Sequence, residues 1–86
     1  MTTPQKRTIM NRLLKLTEDI VETKKSIEQL VTIETNFYTS MPENLSAYSA
    51  RLKGYMEERK GICFALSTLG YYVEWEGINP VSIKEL

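Results

Sequence analysis

Cys63 is the only thiol in the chain, and there is no histidine to activate it or to join it around a zinc ion. Its neighbours Ile62 and Phe64 are apolar. It therefore reads as a buried, inert thiol rather than a nucleophile. The carboxylates offer no more. Glu57 and Glu58 are adjacent, as are Glu18 and Asp19, so each pair diverges around its helix and cannot share a proton. Glu18 and Glu22 share a face, as solvent-facing helical acids do. No catalytic, nucleotide or metal motif is present. The expectation is a non-enzymatic protein with no cofactor and no metal.

Binding chemistry has more candidates. Lys6, Arg7, Arg12 and Lys15 all precede the first acidic residue and form a possible anion contact, for example with nucleic-acid phosphates. No aromatic lies among them for base stacking. The 11 basic and 11 acidic residues give no net charge, which argues against a general polyanion binder. A second candidate is a line of small residues: Ala47, Ala50, Gly54, Gly61, Ala65 and Thr68 recur at helical spacing. A glycine inside a helix costs about 1 kcal/mol relative to alanine. In return it lets another backbone approach closely, whether a third helix, the tail or a second copy. The amphipathic aromatics Tyr72 and Trp75 add recognition chemistry. Gly54, Gly61, Ala65, Tyr72 and Trp75 are the expected partner-binding residues.

Two apolar stripes with a seven-residue beat must position these groups. The first is Ile9, Leu13, Leu16, Ile20, Thr23, Ile27, Leu30, Glu34 and Phe37. A second line, Met10, Leu14, Val21, Val31 and Tyr38, runs beside it and broadens it. The other stripe is Leu45, Tyr48, Leu52, Tyr55, Arg59, Ile62, Leu66 and Leu69, interrupted only by Arg59. Alternating steps of three and four are the seam of a helix packed lengthwise on another. The spacing predicts a helix over 4–38, with Thr3 as cap and Pro4 at the first helical position. A link follows over 39–44, where Ser40 and Glu43 match a capping box and Asn44 is a rival cap. A second helix is expected over 45–69, with Gly70 as its left-handed terminator.

The tail changes period. Tyr71, Val73 and Trp75 alternate with Tyr72, Glu74 and Glu76, while Val81 and Ile83 alternate with Ser82 and Lys84. With turn residues at Glu76-Gly77-Ile78-Asn79-Pro80, this predicts a β-hairpin over 71–84. A hairpin alone is unstable in water, so its Tyr71/Val73/Trp75 face must lie on the helices or join a partner.

A short link forces the helices antiparallel, with facing residue numbers adding to about 82. That register sets Leu30 by Leu52 and Ile20 by Ile62, and the polar stretch Glu22–Lys25 opposite Glu57–Lys60. Arg59 either reaches Glu22, Asp19 or Glu18, or extends along its aliphatic stem to water.

The fold class is mainly α: one domain over 1–86, an antiparallel helical hairpin with a short C-terminal β-hairpin. Only about 60–65% of the surface of a chain this small is buried on folding. No disulfide or zinc can compensate, so a homodimer with a four-helix arrangement is expected. The opening MTTPQKRTIM has no apolar stretch of the secretory kind, and nothing approaches a membrane span. With one cysteine, this predicts a cytoplasmic, soluble protein with no membrane partner. The preferred function is a protein-binding module that regulates or inhibits another protein. The alternative is a nucleic-acid-associated regulator using the basic end of helix one. The size, the hairpin and the lack of chemistry are in the style of small accessory proteins of phages and mobile elements.

Overall fold

Thr2 starts the first helix. Its N–H donates to Gln5 Oε1 at 2.8 Å, and the Gln5 N–H donates to Thr2 Oγ1 at 3.3 Å. This reciprocal pair is a capping box. The Lys6 N–H then reaches the Thr2 carbonyl at 3.0 Å. The cap is therefore Thr2, one residue before the expected Thr3. Pro4 still falls in the first turn, where a missing N–H costs nothing. The computed structural model describes residues 1–33 and 41–86, and the side chains of 1–31 and 45–86. The order is α1 (Thr3–Ile33), α2 (Met41–Thr68), β1 (Tyr71–Glu76) and β2 (Asn79–Glu85). The end of the first helix near 38, the Ser40/Glu43 box and the seam positions Glu34 and Phe37 lie outside the described residues.

The seven-residue beat identifies the buried faces well. On α1, Leu13 and Leu16 are fully buried, Ile20 is 4% exposed, and Ile9, Ile27 and Leu30 are half-buried. Thr23, a polar lapse in the stripe, is buried because its hydroxyl donates to the Asp19 carbonyl at 2.7 Å. Thr17 does the same to Leu13 at 2.9 Å. Hydroxyls satisfied by the preceding turn can enter a core without a partner from elsewhere. On α2, every seam residue from Leu45 to Leu66 is at least half-buried.

The packing departs from expectation in three places. Leu69 is 70% exposed rather than in the seam. Helix α2 ends at Thr68, and the Leu69 N–H closes a tight turn on Ala65 and Leu66 before Gly70 reverses the chain at φ +89°. The second apolar line is mostly uncovered: Leu14, Val21 and Val31 are each more than 40% exposed, Met10 is half-buried, and Tyr38 lies outside the described residues. The register is also displaced. Arg12 pairs with Glu58, residues whose numbers add to 70 rather than 82. Helix α2 begins at Met41, four residues before the expected 45. Pro42 lies in its first turn, where proline is tolerated.

The hairpin lies on the helices of its own chain, β2 along α1 and β1 along α2. A two-residue turn at Gly77–Ile78 joins the strands, with positive φ at Gly77 alone (+62°), the pattern of a type II′ turn. Val73 pairs with Ile83, but Trp75 pairs with Pro80 because the register slips after Glu74. Val81 is the extra residue. It is 54% exposed, against the expectation that it shares a face with Ile83, and Pro80 is buried in its place. A bulge is one of the few places where a strand accepts proline.

The deep core lies at one end: Leu13, Leu16 and Ile20 from α1, Leu66 from α2 and Ile83 from β2. Leu16→Ala should therefore cost about 2–5 kcal/mol, while Leu14→Ala, on the open side of the same helix, should be nearly silent. Urea unfolding of both variants checks this. Equal losses would place the two leucines in equivalent environments and remove the assigned face.

Candidate functional site

The basic end of α1 is largely occupied by the protein's own groups. Arg12 grips Glu58 in bidentate fashion, Nη2 to Oε1 at 2.7 Å and Nε to Oε2. The charge-assisted bonds raise the Arg12 pKa and lower that of Glu58. Lys15 Nζ lies 3.2 Å from Asp19, one turn on, and its pKa is raised by that hydrogen bond. Lys6 stands over the ring of Tyr71, 5.6 Å from its centroid. Of the four cations, Arg7 alone has no ion pair or ring contact among the described residues. They remain exposed or half-exposed on one helix, three of them as paired groups rather than free ones.

The five expected partner-binding residues do not converge. Gly54, Gly61 and Ala65 are exposed on α2, and a Cβ built on either glycine would meet nothing within 4 Å. The close backbone approach that would explain these glycines is not made among the described residues. Tyr72 is 41% exposed on the outer face of the hairpin, with Glu74, Ser82 and Lys84 beside it. There Glu74 accepts from Ser82 Oγ at 3.0 Å and lies 3.1 Å from Lys84, which together hold its carboxyl below the usual range. Trp75 is elsewhere again. Its ring lies under the Arg59 guanidinium, 5.4 Å from the centroid. Arg59, half-buried, pairs with no acid of α1 among the described residues. It bridges α2 to the hairpin by a cation–π contact.

Around that contact is a groove of about 670 Å³ between α2 and the hairpin turn. Leu52, Met56 and Cys63 line it from α2, and Trp75 and Ile78 from the hairpin. Met56 and Ile78 are 41% and 55% exposed. Lys53, Glu57, Arg59 and Lys60 also line it. Leu52 belongs to this groove rather than to a sealed core, because the hairpin turns back beside it. The sequence carried a signal for it: Met56 and Cys63 are seven apart, on the edge of the α2 stripe. Cys63 is half-buried, and desolvation pushes its thiol pKa up against a smaller opposing pull from Arg59. The Cys63 side chain forms part of the groove wall. No group of three or more potential metal ligands occurs among the described residues. No helix among them is long and apolar enough to cross a membrane.

A scan against protein-family models and searches of curated proteins and solved structures find no match.

The Arg12–Glu58 pair makes a pH prediction. A carboxylate whose folded pKa is depressed adds stability above its unfolded pKa and loses it as pH falls through the folded value. Wild-type stability should fall on going from pH 7 to pH 3, and Glu58→Gln should start lower and fall less. Urea midpoints at the two pH values test this. Parallel curves would show that the pair does not hold the helices in solution.

Proposed function

We propose that this chain is a non-enzymatic protein-binding module, acting as a homodimer, that regulates or inhibits a partner protein. The observation that carries the reading is the amount of contact-ready surface left open on so small a fold. Phe64 is 73% exposed, the Gly54/Gly61 side of α2 is bare, and the groove beside Trp75 is apolar. Exposed apolar patches and unfilled small-residue faces are what association covers. Catalysis is less well supported, since the polar groups that meet are ion pairs and ring contacts rather than a nucleophile with its base.

The nucleic-acid alternative would use Lys6, Arg7, Arg12 and Lys15. It has less support, because Arg12 and Lys15 are already neutralised and Lys6 is engaged with Tyr71. A module of this size and plainness fits the accessory type, and a single free thiol fits a reducing, cytoplasmic setting.

Self-association separates these readings by its salt response. Sedimentation equilibrium should give a dimer at micromolar concentration, unchanged by high salt, because apolar contact is not screened. Gly61→Leu should weaken it by filling the space that a second backbone would use. A wild type that stays monomeric and folded would contradict the dimer and leave these surfaces for a different protein. Binding to nucleic acid that collapses with salt would favour the alternative.

A further inference from the structure

The two edges of the hairpin are unlike. The β2 edge carries Pro80, which has no N–H to offer, a bulge at Val81, and Lys84. These are the devices by which proteins blunt a strand edge against pairing. The six residues of β1 have no proline and no bulge of their own. The Gly70 carbonyl accepts from the Leu86 N–H at 2.9 Å, so the polar groups of residue 70 point at β2. By the alternation of an antiparallel ladder, those of Tyr72 and Glu74 do the same. The N–H and C=O groups of Tyr71, Val73 and Trp75 therefore point away from β2. They have no hydrogen-bond partner among the described residues.

The groove described above adjoins this edge through Trp75. Its base is apolar, from Leu52, Met56, Cys63 and Ile78. Its charge is lopsided. Glu57 is the only acid in the lining and lies 3.9 Å from Lys53; among the described residues Lys60 has no ion pair and Arg59 has the Trp75 ring alone. The outer face of β1 is acidic, from Glu74 and Glu76.

We propose that β1 captures an extended segment of a partner protein as a third strand. The inward face of that segment carries apolar residues and a carboxylate, and its outward face carries none. Main-chain bonds to Tyr71, Val73 and Trp75 would hold it, as in strand addition to an open sheet edge. Its inward apolar side chains fill the groove, and its carboxylate meets Lys60. An acid on the outward face would meet Glu74 and is excluded, since like charges opposed across strands repel. The proposal rests on the protein-binding reading and names the chemistry of the partner.

The probe is a blocked heptapeptide, Thr-Val-Thr-Glu-Thr-Val-Thr, which places valine and glutamate on one face. Trp75 is the only tryptophan, so its fluorescence reports on the groove directly. A saturable change is expected with this peptide. It should be lost when alternate backbone nitrogens of the peptide are methylated. The exposed-site variant Lys60→Glu should weaken it about fivefold, the scale of a surface ion pair. Replacing the peptide's glutamate by lysine should reverse that preference. No saturable change at millimolar peptide, equal binding of the methylated peptide, or indifference to Lys60→Glu would each overturn the proposal. A silent titration together with a sedimenting dimer whose β1 amides resist exchange would mean that a second copy holds the edge. That result overturns strand capture and leaves the protein-binding reading standing.

Discussion

Two short strands cannot cover two long helices. Helix α1 has 31 residues and α2 has 28, close to 45 Å each at about 1.5 Å per residue. The strands have six and seven residues, about 20 Å at 3.3 Å each. The molecule measures 52 Å along its longest axis and about 20 Å across. The hairpin must therefore be a cap over one end, and the rest of the structure follows from that mismatch. Where the hairpin lies, Leu13, Leu16, Ile20 and Leu66 are buried. Beyond its turn, the same stripes are only half-buried, at Ile27, Leu30, Leu45, Tyr48 and Leu52. The groove is the step between the three-layer end and the two-helix end.

Charged side chains tie the layers together at that step. Arg12 to Glu58 joins the helices, and Arg59 on Trp75 joins α2 to the hairpin. Lys6 on Tyr71 joins the start of α1 to the start of β1. The same contacts decide what the surface can offer. The cations nearest the start of α1 are largely spent inside the fold, while Lys60 beside the groove is not. Binding potential thus moves from the basic helix end to the apolar step with a basic rim.

The faces of the helices were legible in the sequence; what faces them was not. The three-four spacing from Leu45 to Leu66 marks the covered side of α2, because side-chain direction on a helix depends on residue number alone. The register depends on where the chain reverses, and spacing alone did not place Arg12 beside Glu58. Period two revealed the strands, and Gly70 and Gly77 revealed the turns. The bulge that turns Val81 out and Pro80 in left no mark, since either residue suits an edge position. Of the residues that line the groove, Trp75 alone was among the expected partner-binding residues. Leu52 read as core and Cys63 as a sealed thiol, because a sequence does not show that the hairpin stops beside them. Leu14, Val21 and Val31 read as core for the same reason. Apolar spacing records a face that can be buried, and burial needs an opposing layer that thirteen strand positions do not reach.

On this packing, stability is concentrated at the capped end, and the open end is held by two helices alone. Native-state hydrogen exchange tests it most directly, because amide protection reports local opening free energy. Amides around Leu13–Ile20, Arg59–Leu66 and the β1–β2 ladder should exchange slowest, near the global unfolding limit. Those around Lys24–Leu30 and Leu45–Leu52 should exchange faster by orders of magnitude at dilutions where the chain is monomeric. Uniform protection along both helices in the monomer would contradict the account, since it would mean that the uncovered half needs no cap.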